Sequence, residues 1–157
     1  HLVFSTLHTN DAPSAITRLV DMGVAAYLVS SSIVAIMAQR LVRVVCQKCK
    51  QTYTPSESAL RAAGITPEMA AGATFCKGRG CGSCGGGGYR GRLAIFELMI
   101  MSNKIRELAF NCAPTADIRR QAVAEGMKTL YDDGIRKACM GVTTIEEVIR
   151  VAKLVEE

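Results

Sequence analysis

Tryptophan is absent from the 157 residues, and aromatic residues make up only 5% of a chain that is 49% hydrophobic. An interior drawn from that stock is aliphatic and suits helices better than a β-sandwich. No Gly-Lys-Ser/Thr occurs anywhere, so the chain has no phosphate loop of its own. It also lacks an apolar run of membrane length. The most apolar stretch, Val24 to Ala38, is interrupted by Ser30, Ser31 and Ser32 and reads as a buried helix. No secretory signal peptide is recognisable, which argues against an oxidising compartment for the cysteines. The length suffices for one domain, or for part of a larger domain with a small appendage.

What is present centres on cysteine. Two Cys-x-x-Cys pairs, Cys46/Cys49 and Cys81/Cys84, stand 31 residues apart, a longer middle than the usual zinc-ribbon spacing. Two turns that each offer two sulfurs satisfy a tetrahedral Zn²⁺. The net charge of +5 is concentrated there, because residues 40–92 hold nine Lys/Arg against two Glu. Part of that charge offsets a zinc centre that four thiolates leave formally anionic. The rest, chiefly Lys48, Lys50, Arg79, Arg90 and Arg92, predicts contact with acidic protein or anionic lipid. Nucleic acid is the competing partner, but Tyr53, Phe75 and Tyr89 are few for stacking on bases.

Other chemistries compete for the same cysteines. Two disulfides would also use four. Cys76, Cys81 and Cys84, with Cys112 further on, fit a plant-type [2Fe–2S] spacing but leave Cys46 and Cys49 without a task. A thioredoxin-like motif needs its pair at a helix start, which Gly82 and the run Gly85 to Gly88 oppose. Eight of the 14 glycines fall between Gly78 and Arg92. They read as tight metal-knuckle turns rather than as an RNA-binding Arg-Gly segment.

Taken in order, His1 to Leu7 predicts a buried strand that starts at the first residue, as though the chain were the tail of a larger core. A helix follows over the face of Ala12, Ala15, Ile16, Leu19 and Val20, capped by Asn10 or Asp11 and closed by Gly23. His8 then stands between a strand end and a positive helix end, where ligands and phosphate bind. Gln51 to Phe75 reads as a polar excursion with short helices opened by Ser56 and Thr66. Leu93 to Met101 predicts a strand. Four helices follow: one capped by Ser102 with Cys112 on its inner face, one over Thr115 to Glu125, one bearing Leu130 to Cys139, and one opened by a Thr143/Glu146 capping box. Cys112 and Cys139 read as core thiols.

The runs HLVFSTLHTNDAPSAITRLVDMG, SSSIVAIMAQRLVR, VVCQKC, GCGSC, GYRGRLAIFELM and MKTLYDDGIRKACMGVTTIEEVIRV closely resemble, in order, the His box and following stretches of the type II secretion and type IV pilus assembly ATPase family. The resemblance covers nearly the whole chain. It implies an α/β fold: the C-terminal part of a RecA-like P-loop ATPase core over residues 1–45, a tetracysteine zinc arm over 46–92, and a strand with a small helical bundle over 93–157. It also implies a cytoplasmic homo-hexamer, peripheral at the inner membrane, that couples ATP and Mg²⁺ chemistry to pilin or pseudopilin assembly on membrane-platform proteins. His8 and His1 would then be the surviving active-site residues, near the terminal phosphate. Gln39, Arg40 and Arg43 also match, without an assigned role. Phosphoryl transfer needs a phosphate cradle and a metal-binding carboxylate as well. This stretch has no cradle and no recognisable carboxylate for the task. A zinc-binding adaptor, or a zinc module that binds nucleic acid, is the alternative.

Overall fold

A computed structural model of the chain describes residues 1–152. In chain order the elements are α1 (Ala12–Asp21), α2 (Ala26–Ser32), β1 (Ala35–Val45), β2 (Lys50–Thr52), α3 (Glu57–Ala62), α4 (Pro67–Ala71), β3 (Cys76–Gly78), β4 (Tyr89–Ile100), α5 (Asn103–Phe110), α6 (Thr115–Ala124), α7 (Leu130–Cys139) and α8 (Ile145–Ala152). The mixture of helix and strand is the expected one. What the 93–157 assignment says of residues 153–157 lies outside the described residues. β1 pairs with β4, and β2 with β3. The chain divides into two compact units, His1–Gln39 with Phe96–Thr129, and Arg40–Ile95 with Leu130–Glu157. Among the described residues no helix is long and apolar enough to cross a membrane.

In the first unit α1 forms as its residues dictate. Asp11 caps it by accepting from the Ser14 amide at 2.8 Å, Pro13 sits in the first turn, and Gly23 follows the end at φ 90°. Ala12, Ala15 and Ile16 are its buried face. The strand expected over His1 to Leu7 does not form. Residues 1–9 have no regular structure, and Phe4 is 89% exposed. A buried strand exists only where neighbouring strands take up its amides and carbonyls, and the described residues offer it none.

The helix expected over Val24 to Ala38 is likewise only α2. Ser30 and Ser31 both turn their hydroxyls back onto the Tyr27 carbonyl, and Ile33 leaves the helix at ψ 132°. The β-branched residues that follow enter β1. Further on, Ser102 caps α5 through the Ile105 amide, as predicted. That helix stops at Phe110, however. Cys112 takes a left-handed φ of 51° and is exposed rather than a core thiol. The Ala113 amide returns to the Leu108 carbonyl, a helix-ending turn that swings Cys112 off the buried face. α6 forms over the expected residues and buries Ile118 and Ala122.

In the second unit β2 and β3 pair antiparallel, with Lys50 opposite Gly78 and Thr52 opposite Cys76. Ser56 and Thr66 cap α3 and α4 as expected. The interval between the cysteine pairs is less polar in its role than in its composition. Ala63, Ile65 and Phe75 join Ile135, Ala138, Ile145 and Val148 in one buried cluster, against which Cys139 is packed. Tyr131 donates its hydroxyl to the Ala63 carbonyl at 3.0 Å. α7 and α8 approach closely because residue 134 is glycine: a Cβ there would lie 2.6 Å from Val148 Cγ1. The expected capping box gives way to a one-sided cap one residue further on, because the Glu147 carboxylate is turned to Arg43 and Arg150. Thr144 accepts from the Glu147 amide at 3.2 Å, while Thr143 donates its hydroxyl to the Arg43 carbonyl at 2.8 Å.

Candidate metal centre and the turn after His8

β1 delivers the first cysteine. Val45 donates its amide to the Val142 carbonyl, and Cys46 donates its own to Gly88, each at 2.9 Å, so the strand end is fixed before the first knuckle begins. The Cys49 amide closes that knuckle onto the Cys46 carbonyl. On the other side Gly82–Cys84 is a single 3-10 turn, ended by Gly85 in the left-handed region at φ 60°. The knuckles can approach because Gly78 meets Gly88 backbone to backbone: a Cβ on Gly78 would lie 2.1 Å from the Gly88 oxygen.

The result gathers Cys46, Cys49, Cys81 and Cys84 with all four sulfurs within 4.8 Å of one another. Sγ of Cys46 lies 3.9 Å from that of Cys81, Cys49 is 3.9 Å from Cys84, and Cys81 is 3.8 Å from Cys84. Four sulfurs each about 2.3 Å from a central ion would be about 3.8 Å apart, the edge of a tetrahedron. The same distances are far beyond a disulfide bond of about 2.05 Å, and all seven cysteines are free. Amides prepare the sulfurs for negative charge: Cys81 and Gly88 donate to Cys84 Sγ at 3.2 and 3.3 Å. The Cys81 amide leads in bringing the Cys84 thiol down to about 6, against burial. Burial, helped by the neighbouring sulfurs, pushes Cys49 up to about 11. Four thiolates this close repel, and a central cation relieves them all.

Cys76 stands apart from the cluster. It is buried, its thiol is directed at the Thr74 carbonyl, and its sulfur packs where Gly141 leaves room. The [2Fe–2S] set of Cys76, Cys81, Cys84 and Cys112 is therefore not assembled.

Around the centre Lys48, Arg79, Arg90 and Arg92 are exposed, and Lys50 is half-buried. Gln39, Arg40 and Arg43 lie in β1, not at a helix end. Arg43 has a defined task that sequence reading missed. It stacks 4.2 Å over the Tyr89 ring and donates Nε and Nη2 to Glu147, a carboxylate that Arg150 also holds. The Glu147-x-x-Arg150 spacing was the available signal, one helical turn.

His1 and His8 are both exposed in the irregular segment. The helix end after His8 is not the open anion site that its position suggests. Asp11 holds the Ser14 amide, and Glu97 from β4 accepts from the Ala12 amide at 2.9 Å. Two carboxylates thus occupy the positive end of α1, and Arg119 from α6 pairs with Asp11. Glu97, 1% exposed, was also invisible as a site residue; its clue is a charge inside the alternating strand pattern LAIFELM.

Comparison with known proteins adds a family. The profile of the family described as Type II/IV secretion system protein matches residues 1–150. Type II secretion system protein E of Pseudomonas aeruginosa is 48% identical over 153 residues, covering 98% of this chain and 30% of its own length. Type IV pilus assembly ATPase PilB of Thermus thermophilus is 46% identical over 149 residues, covering 95% of this chain and 17% of its own. The corresponding ATPase of Myxococcus xanthus is 43% identical, across 95% of this chain and 26% of its own. The chain thus spans less than a third of the length of these relatives.

Proposed function

We propose, as this chain belongs to the type II/IV secretion system protein family, that it carries the His box, metal arm and C-terminal helices of a secretion or pilus-assembly ATPase. The observation that carries the reading is the match over residues 1–150 together with relatives named as ATPases. In the full protein residues 1–45 complete a RecA-like core, 46–92 form the arm, and 93–157 form a strand and small helical bundle. The motor is a homo-hexamer in the cytoplasm, peripheral at the inner membrane. It hydrolyses ATP with Mg²⁺ and drives pilin or pseudopilin assembly on platform proteins.

The four-cysteine cage fits a structural Zn²⁺. Its donor set is all sulfur, and three of its six sulfur–sulfur separations match the edge of a tetrahedron that four thiolates would close by themselves. Bound zinc supplies a rigid cross-link between the knuckles. Cys46, Cys49, Cys81 and Cys84 hold it, and the amides of Cys81 and Gly88 orient Cys84. His8, with His1 in second place, serves at the terminal phosphate of ATP. Lys48, Lys50, Arg79, Arg90 and Arg92 face acidic protein or anionic lipid of the platform. Charge reversal at Lys48 and Arg90 that left membrane association intact would remove that assignment.

The deciding experiment is steady-state ATPase activity of the full-length protein. The parent is expected to turn over ATP with Mg²⁺, the His8→Ala variant to lose most of that turnover with its hexamer and zinc intact, and the 157-residue chain alone to show none. Full activity of His8→Ala would exclude His8 from the reaction. Absence of Mg²⁺-dependent turnover in the parent would exclude the motor.

A further inference from the structure

We propose that Glu97 is a positioning residue for His8, holding the start of α1 so that the turn bearing the imidazole keeps one place. The inference rests on the reading that His8 acts in ATP hydrolysis. Ile95, Glu97 and Met99 form the inward row of β4, and both apolar neighbours are fully buried. A carboxylate in such a row is costly to desolvate, whereas a leucine there would pack without that cost. Its hydrogen bond to the Ala12 amide reaches across 85 residues of sequence and joins β4 to the first turn of α1.

The path from Ala12 to His8 is short and is tied at Asp11 and Thr9. Asp11, 3% exposed, is held by Arg119 and caps the helix. Its carbonyl accepts from the hydroxyls of Thr9 and Ser14, at 3.2 and 3.1 Å. Among the described residues His8 itself makes no hydrogen bond within the chain, so whatever order it has comes through Thr9 to Ala12. Asp11 is the local cap that any helix start can use. Glu97 is the long-range anchor, which sets where that start lies against the sheet.

The test uses the full-length hexamer. Glu97→Gln keeps an acceptor for Ala12 and is expected to hold kcat within about twofold of the parent, as only the charge is lost. Glu97→Leu removes the acceptor while suiting the apolar row. Its kcat should fall about tenfold to a hundredfold, the usual cost of a displaced reacting group, with KM for ATP, zinc content and hexamer unchanged. Hydrogen exchange at the Ala12 amide should speed up in the leucine variant and not in the glutamine one. If the leucine variant does not fold, Glu97→Met, unbranched like glutamate, replaces it. Parent-like kcat in the leucine or methionine variant, while His8→Ala is inactive, overturns the role of Glu97 and leaves that of His8 standing. Equal losses in the glutamine and leucine variants overturn it too, because the acceptor would then not be what matters. Full activity of His8→Ala removes the reading on which it rests.

Discussion

The backbone amide of Arg43 lies 3.0 Å from Glu147 Oε1 while its guanidinium Nη2 lies 2.7 Å from Oε2, so one buried carboxylate holds both the strand and its side chain. Burial alone would raise the Glu147 pKa. The hydrogen bonds from Arg150 and Arg43 outweigh it and bring the group down to about 2. A depressed carboxylate contributes stability that is present above its unfolded pKa and lost as pH falls through its folded one. Stability owed to Glu147, on the order of 3 kcal/mol, is therefore expected to disappear between about pH 4.5 and pH 2. Acid also strips metal from thiolates, so the readout is the difference between parent and Glu147→Gln in urea unfolding. The variant should be less stable at pH 6 and converge on the parent at the acid end.

Metal analysis of the purified protein is expected to find about one zinc per chain. Cys46→Ser and Cys84→Ser should lose it, and Cys76→Ser should keep it, since that thiol serves the core under Gly141. Chelation should open the knuckles first in hydrogen exchange, namely residues 46–52 and 76–88. Ala63, Ile65 and Phe75 should stay protected longer, because α7 and α8 bury them. Iron in place of zinc, with Cys76 required, would overturn the assignment.

Gly134→Ala tests the contact of α7 and α8. Alanine is favoured over glycine within a helix by about 1 kcal/mol, yet its Cβ would stand 2.6 Å from Val148 Cγ1. Overpacking of that kind costs about 1–3 kcal/mol, so the variant should be no more stable than the parent, and commonly less. Val148→Ala is expected to be destabilising alone but less so beside Gly134→Ala. A double-mutant cycle on unfolding free energies measures the coupling; strict additivity would mean that the contact is not made.

Gly78→Ala probes the approach of the knuckles without touching a ligand. The Gly88 carbonyl, 2.1 Å from the added carbon, must move, and with it the amide of Gly88 that donates to Cys84 Sγ. Loss of such an outer support typically lowers metal affinity about tenfold to a hundredfold. Competition with a coloured chelator would register the change, and parent-like affinity would count against the close approach.

Much of this was legible in the sequence for identifiable reasons. Cysteine pairs, a Pro after Asp11, and Ser or Thr before an apolar period are local devices, so α1, α3, α4, α5 and the sulfur cage follow from short-range chemistry. β1 was hidden because its buried residues, Ala38, Val42 and Val45, recur at helical rather than alternate spacing. The first residues have the composition of a strand, but a strand forms only against neighbours, and the described residues offer none. Thr143 and Thr144 carry equal capping propensity, and only the Arg43 carbonyl decides which of them caps. Glu97 and Glu147 have partners 85 and 104 residues away, which no local pattern can announce.

A metal held by both Cys46 and Cys81 would make the intervening chain a closed ring, and ring closure has an entropy that grows only with the logarithm of length. Doubling the residues between the two knuckles would cost about 0.6 kcal/mol, against roughly 10 kcal/mol or more that a structural zinc can return. Gly72, exposed and with nothing within 4 Å of where a side chain would begin, is a natural place for extra residues. The length of the arm is consequently almost free to vary, and a longer or shorter arm says little about how firmly the ion is held.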